Sequence, residues 1–477
     1  MRITFALNGT EYTREVRPDR RLLDFLREDL GVLSVREGCG AGECCACTVL
    51  LNGEAVHACL TLTGQIDGGE VLTVEGLSRD GELDVLQQAF LDHSAIQCGY
   101  CTPGMILSAK ALLFHNPHPT DEEIREAISG TICRCSGYQE IRTAIAAAAE
   151  AGASAGKTVG RKPPAAGAKL QAEEGYLQPA SHAELLEALG KMTENSRFIA
   201  GGTDVLVERR REPERPDLLV SLSHVPELHE IRMEPEGYGA GSAGMLRIGA
   251  AVTHAAIAAD PLVRRYFTAL AEACGMVGSQ QIRNRGTLGG NLCNATPADD
   301  TMPCVLLYGG ELEILDASGL TRRIPAEELV TGFGRTSLVP GEILTAVLLP
   351  VREDRKSAFV KLGSRKSVTT AQLSMAVSWE TEGTAVTAAD AYLGAVSLRP
   401  VRIPEIGEIL RGSRAEDTDL CVRALNDVLR ARIRSEQKKR TRPSRLKITE
   451  DERRYKERAA IGIADDVCRR VLAEISE

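Results

Sequence analysis

No stretch of this sequence approaches the roughly 18 consecutive apolar residues that a membrane-spanning helix requires, so no bilayer segment is expected. A secretory leader is missing as well: Met1 to Leu7 enters an alternating, strand-like pattern without a basic stretch, an apolar stretch or a cleavage site. A cytoplasmic location is the expectation. There is no basic surplus either. The net charge of -9 arises from 57 Lys and Arg against 66 Asp and Glu of interspersed sign, which leaves no basic face for nucleic acid. Aromatic residues make up only 4%. Histidines number 8 and are ungrouped, so none is assigned to a metal. No internal repeat is found. What remains is the composition of a globular protein, 43% apolar and 26% charged over 477 residues, long enough for roughly two to four domains with cores of their own.

Cysteine, by contrast, is plentiful: there are 14. A reducing compartment disfavours disulfides, so clustered cysteines point to metal. Nine fall between Cys39 and Cys135, in two groups. Cys274, Cys293, Cys304, Cys421 and Cys468 stand singly and read as small buried hydrophobes.

Residues 1–78 read as short strands around one helix. Ile3 to Leu7 turns at Asn8-Gly9 into Glu11 to Val16, and Leu22, Phe25, Leu26 and Leu30 keep helical spacing. From 79 to 150 the pattern becomes helical. Thr102-Pro103 supplies an N-cap and a first-turn proline, and Thr120 with Glu123 makes a capping box. Residues 151–172 are small, basic and without apolar period, as in a flexible linker. A second half then mixes strands, helices and glycine-rich turns over 173–350 and 351–477.

Cys39-x4-Cys44-x2-Cys47 followed by Cys59 has plant-ferredoxin spacing for a [2Fe-2S] centre. Asn52-Gly53 between two strand-like runs predicts a two-residue hairpin that pairs Leu51 with Glu54 and, counted outward, sets Ala46 opposite Cys59. The fourth thiolate thus returns beside the third. Gly38, Gly40 and Gly42 let the loop turn its N–H groups toward an anionic centre. A zinc knuckle is the rival reading. Cys45 stands where glycine would suit the loop better, either as a spectator thiol or as a ligand exchanging with its neighbour.

Cys98-x2-Cys101 and Cys133-x-Cys135 form another set of four thiols close to helix termini. Their spacing alone suits zinc about as well as iron–sulfur. Further on, Phe198 to Asp204 and Ile282 to Asp300 are rich in glycine, and with Thr203, Asn291 and Asn294 as side-chain partners they would suit a pyrophosphate; ordinary turns are the competing reading. Gly239 to Gly244 fits GxGxxG, but a strand-like Met245 to Ala250 follows instead of a helix, so it reads as a turn.

GCGAGECCACTVLLNG, QCGYCTPGMILSAKALL and GTICRCSGYQEIRTAI, in this order, closely resemble the iron–sulfur region of the xanthine dehydrogenase (molybdenum hydroxylase) family. The glycine-rich segments resemble its FAD domain, as do Tyr176 to Ser181, Arg247 to Thr253, Gly341 to Leu344 and the surroundings of Tyr455. The resemblance implies an α+β multidomain fold: a ferredoxin-like β-grasp domain, a small helical [2Fe-2S] domain, and an α+β FAD-binding domain with a C-terminal α/β subdomain. It implies that Cys39, Cys44, Cys47 and Cys59 hold one [2Fe-2S] cluster and that Cys98, Cys101, Cys133 and Cys135 hold the one nearer molybdenum, with Gln97 and Cys135 next to the pterin. FAD would be held by Ala200, Gly201, Gly202, Thr203, Asp204, Thr287, Gly289, Gly290, Asn291, Asn294, Asp299, Asp300, Leu344, Arg365 and Lys366. The family pattern has glycine at position 45, and many relatives have an aspartate-containing segment where this sequence reads TTAQLS after Arg365-Lys366.

Clusters and FAD use up the chain, so the molybdenum cofactor and the substrate chemistry would belong to a separate large subunit, and no catalytic residue is assigned here. The resemblance implies the small subunit of a xanthine dehydrogenase that passes electrons to NAD, in a dimer of heterodimers. The alternative is the same subunit of an aldehyde, nicotinate or carbon monoxide oxidising relative with another acceptor. A zinc-bound interaction module is the remote one. With no compact third cysteine set, two clusters only are expected.

Overall fold

The computed structural model describes residues 1–153, 171–211, 216–234, 244–439 and 449–474. Most of the expected linker, 154–170, lies outside the described residues, as do 239–243 of the GxGxxG stretch. The chain forms two compact units, Met1–Pro226 with Gly278–Gly286, and Glu227–Val277 with Thr287–Glu477.

The first unit opens with a five-stranded sheet. Strands β1 (Arg2–Leu7) and β2 (Thr10–Glu15) pair antiparallel through Asn8 and Gly9, at φ 52° and 80°. Strands β3 (Thr48–Leu51) and β4 (Glu54–His57) pair through Asn52 and Gly53, at φ 54° and 88°. Both are the left-handed two-residue turns that match strand twist. The Leu51–Glu54 register is the one the sequence predicts. With β5 (Glu70–Leu72) the order is β2-β1-β5-β3-β4, β5 running parallel to β1. Ile3, Phe5 and Leu7 face inward in β1, as its two-residue period requires. They meet Leu22, Leu23, Phe25 and Leu26, from a single helical turn at Leu22–Asp24 that widens into a π-turn over Phe25–Asp29. This is a β-grasp arrangement.

Four helices follow: α1 (Val85–Asp92), α2 (Thr102–His115), α3 (Asp121–Ile128) and α4 (Tyr138–Glu150). Thr120 Oγ1 accepts from Glu123 N, and Glu123 Oε2 accepts from Thr120 N, completing the capping box on α3. The start of α2 differs from expectation. Thr102 is already helical, Cys101 occupies the cap position, and no side chain caps the turn. Lys110 of α2 is buried, its Nζ donating to Asp84 Oδ2 (2.8 Å) ahead of α1 and to Ala153 O (2.7 Å) beyond α4. A small sheet completes the unit, with β6 (Gln171–Glu173), β7 (Tyr176–Gln178), β8 (Arg197–Ile199) and β9 (Leu219–Ser221) in the order β6-β7-β9-β8.

In the second unit, β10 (Ile231–Glu234), β11 (Met245–Gly249), β12 (Glu311–Leu315), β13 (Thr321–Pro325) and β14 (Ile343–Pro350) form a sheet ordered β10-β11-β14-β12-β13. The central β14 is buried almost throughout, which suits its unbroken apolar run. A four-stranded antiparallel sheet follows, β15 (Lys356–Leu362), β16 (Leu373–Glu382), β17 (Ala385–Gly394) and β18 (Val401–Arg402). Its apolar face, with Met375, Val377 and Trp379, packs on helices Thr418–Lys439 and Glu450–Ala473. Cys421 and Cys468 belong to this core, and Cys274 and Cys304 to the core around β14, with Cys293 partly buried at its edge. No described helix is long and apolar enough to cross a membrane.

Candidate functional site

The loop that carries Cys39 and Cys44 is shaped by glycine. Gly40 and Gly42 sit at φ 60° and 74°, and a Cβ on Gly38 would fall 2.7 Å from Cys44 Sγ. The loop turns its N–H groups onto sulfur: Ala41 N and Glu43 N donate to Cys39 Sγ at 3.3 and 3.2 Å, and Cys39 N to Cys44 Sγ at 3.3 Å. Cys39 and Cys44 are in thiol contact, and so are Cys47 and Cys59. Cys44 holds the proton for Cys39, whose pKa falls to about 5 with help from the loop N–H groups; Cys47 plays the same part for Cys59, lowered against the opposing effect of burial. Four thiols with N–H donors already aimed at sulfur fit a [2Fe-2S] centre, whose ligands are thiolates and whose potential depends on such bonds.

Cys45 adopts φ 54°, the left-handed backbone that glycine takes freely. Its side chain is buried, with Sγ 3.4 Å from His57 Nε2 and 3.5 Å from Gln281 Oε1. Burial pushes this thiol up to about 12. Gln281 is a residue that sequence reasoning missed: its Nε2 also donates to Ser108 Oγ (2.9 Å) and Thr48 Oγ1 (3.3 Å).

Cys98, Cys101, Cys133 and Cys135 line one small cavity together with Gln97 and Gly137. Within it Cys98 contacts Cys135, and Cys101 contacts Cys133. Cys98 is exposed, and its thiol is lowered by the N–H of Tyr100 and by Cys135. Burial and the Cys133 neighbour push Cys101 up to about 12. Tyr138 Oη accepts from Cys133 N (2.8 Å), fixing that ligand segment at the start of α4. The donor set is again four thiols.

The two glycine-rich loops belong to different units. In the first unit, a Cβ on Gly201 would stand 1.8 Å from Arg285 O, so only glycine fits. Gly202, at φ 79°, approaches Leu60 O beside Cys59. Gln65 fixes the loop, donating to Ala200 O (3.0 Å) and accepting from Arg285 (2.8 Å). Thr203 and Asp204 close it before helix Val205–Arg211.

In the second unit, Thr287 caps helix Leu288–Asn294, accepting from Gly290 N (3.1 Å). Gly289 lies against Ala250, where a Cβ would be 2.6 Å from the Ala250 Cβ. Asn291 Oδ1 accepts from Thr301 Oγ1 (2.7 Å), and Asn294 ends the helix. Asp299 accepts from Thr301 N (2.8 Å) and Met302 N (3.3 Å). Asp300 Oδ2 pairs with Lys361 Nζ at 2.5 Å, while its Oδ1 is buried without a hydrogen-bond partner. Burial pushes Asp299 up to about 7 and Asp300 up to about 6, Lys361 opposing the second shift. Leu344 is buried in β14. Arg365 and Lys366 lie on an exposed turn after β15, where Arg365 donates to Val368 O. The basic residue brought to Asp300 is Lys361, which the sequence reading did not single out.

A short buried carboxylate–ammonium pair and tightly glycine-packed loops fit the hydroxyl and phosphate groups of a dinucleotide.

Three family profiles match in succession: "2Fe-2S iron-sulfur cluster binding domain" over residues 5–73, "[2Fe-2S] binding domain" over 73–146, and "FAD binding domain in molybdopterin dehydrogenase" over 169–352. The nicotinate dehydrogenase small FeS subunit of Eubacterium barkeri is 55% identical over 148 residues, 31% of this chain and 94% of that protein. A xanthine dehydrogenase of Oryza sativa subsp. japonica is 28% identical over 418 residues, covering 71% of this chain; this chain spans 30% of that protein's length. Among solved structures, quinoline 2-oxidoreductase from Pseudomonas putida 86 aligns with a TM-score of 0.53 at 25% identity, over 65% of this chain and all of that one (100%).

Proposed function

The chain belongs to the molybdenum hydroxylase (xanthine dehydrogenase-like) family, as an electron-transfer subunit with two [2Fe-2S]-binding domains fused to an FAD-binding domain, and from that premise we propose that it serves the hydroxylation of a nitrogen heteroaromatic ring. The observation that carries this reading is the 55% identity to a nicotinate dehydrogenase subunit, against 28% to a xanthine dehydrogenase. Quinoline, the substrate named for the solved relative, is a ring of the same class. The weight therefore moves from xanthine, which the sequence resemblance favoured, to its nicotinate-type alternative.

In this reading Cys39, Cys44, Cys47 and Cys59 ligate one cluster, and Cys98, Cys101, Cys133 and Cys135 the other. Gln97 and Cys135, at the exposed end of the second set, face the pterin of a molybdenum-cofactor-binding large subunit in the cytoplasm, in a dimer of heterodimers. The loops Ala200–Asp204 and Thr287–Asp300, with Lys361, hold FAD. When bound, the clusters carry electrons singly and the flavin gathers them in pairs for an acceptor such as NAD. The protein residues fix thiolate ligands, aim N–H groups at sulfur and exclude side chains from the flavin loops.

The test is co-expression with the adjacent large-subunit gene and steady-state assay of nicotinate, quinoline, xanthine, an aldehyde and carbon monoxide, with NAD and with dye acceptors. Turnover of a pyridine or quinoline ring above all others is expected. Preferential xanthine turnover would return the first alternative, and carbon monoxide or aldehyde turnover would replace both.

A further inference from the structure

Within the first unit, three polar links join the segments that carry the two thiol quartets. Arg36 precedes Cys39 by three residues, and its backbone N–H donates to Ala46 O (3.3 Å), between Cys44 and Cys47. Its side chain runs the other way. Nη1 donates to Gly99 O at 2.6 Å, inside the Cys98–Cys101 loop, and the guanidinium carbon lies 5.2 Å from the centre of the Tyr100 ring. Tyr100 closes the link from its own side, its hydroxyl donating to Glu37 O at 2.6 Å. Further along, Ile132 N donates to Cys44 O at 3.1 Å, so a single hydrogen bond connects the backbone of Cys44 to that of Cys133.

The charge of Arg36 has little nearby to cancel it. Among the described residues no carboxylate lies within ion-pair distance of it, and the neighbouring Glu37 carboxylate is taken by Arg21 at 2.9 Å. The side chain is half-buried, and so less screened than an exposed one. A positive charge held against one ligand loop favours whichever redox state of the bound centre is more negative.

We propose that Arg36 is a positioning residue that holds the two cluster-bearing loops in register and raises the reduction potential of the centre held by Cys98, Cys101, Cys133 and Cys135. This rests on the reading that those four cysteines ligate a [2Fe-2S] cluster. The step concerned is the gain of one electron by that cluster, with no bond made or broken, and in the test the electron comes from dithionite. Its reduced form carries one more negative charge than its oxidised form. The guanidinium beside Gly99 therefore stabilises the reduced form more. Arg36 is nearer in sequence to Cys39, yet its charged end lies in the other loop, so the second cluster feels it more.

The experiment is an EPR-monitored redox titration of the complete enzyme carrying Arg36→Met, Arg36→Lys or no change, with iron counted in each. Arg36→Met is expected to lower the reduced-to-oxidised ratio of the second cluster at fixed poise by about threefold or more, about 28 mV at 59 mV per tenfold. The first cluster should move less, and Arg36→Lys should retain most of the wild-type ratio. Should Arg36→Met not assemble, Arg36→Gln, which can still donate to Gly99 O without a charge, carries the same comparison. An unchanged ratio, or equal displacement of both clusters, overturns the proposal. Absence of a second cluster signal in the unsubstituted enzyme, with iron for one cluster only, overturns the ligand reading itself.

Discussion

A methyl group on Gly201 would have its carbon 1.8 Å from Arg285 O, a separation that only a backbone shift can relieve. Gly201→Ala is therefore expected to displace the Ala200–Asp204 loop and cut bound flavin per chain to less than half, with iron unchanged; flavin and iron quantification after purification checks it. Asp299 leads to a pH prediction. Burial raises its folded pKa to about 7 from an ordinary 3.8, so the folded chain keeps a proton that the unfolded chain releases. That contribution to stability is complete below the unfolded value and is lost as pH rises toward about 7. Asp299→Asn keeps the acceptor oxygen for Thr301 and Met302 without the charge. In flavin-free protein it should gain on the order of 1–3 kcal/mol relative to wild type between pH 4 and 8, measured by urea unfolding; parallel pH slopes would refute it. Cys39, Cys59 and Gly201 were legible in the sequence because their meaning lies in local spacing. Lys361 and Gln281 were not, since each acts on partners 61 and 173 residues away and neither sits in a recognisable pattern.

At the scale of single elements, α2 depends on a buried ammonium. Lys110 bonds to Asp84 and to Ala153 O from a position 3% exposed. Lys110→Met would leave both acceptors short of a donor, at a cost of about 1–3 kcal/mol, seen as a lower thermal midpoint with the β-grasp hairpins intact. Those hairpins were predictable: Asn8-Gly9 and Asn52-Gly53 demand left-handed backbone at both central positions, and so fix the register of β3 against β4. The start of α2 was less so. A Thr-Pro pair reads as cap and first turn, but here Thr102 is itself the first helical residue, because Cys101 takes the cap position as part of the thiol set. The π-turn at Phe25–Asp29 was hidden for another reason: Leu22, Phe25 and Leu26 keep an inward face whether the turn is regular or widened.

For the whole molecule, two thiol quartets and one flavin region predict about four irons per chain, two for each [2Fe-2S] cluster, with one FAD and no zinc. Replacing Cys101 and Cys133 together by serine should halve the iron and remove one of two cluster EPR signals, while flavin is retained. Loss of both signals would mean that the quartets do not bind independently. The order of the three domains was readable from the sequence, but the division into units was not. Gly278–Gly286 belongs with residues more than fifty positions earlier, and its hydrophobic pattern gives no sign of that return. The segment sets a clock on biosynthesis. At 5–20 residues per second, Gln281 leaves the ribosome roughly 9–35 s after Ser108, across the 173 residues between them. Throughout that interval the nascent iron–sulfur half has its cysteines in place but not the amide that ties Cys45, Thr48 and Ser108 together. Cluster-loading machinery acting on the growing chain would meet those thiols before the fold closes behind them.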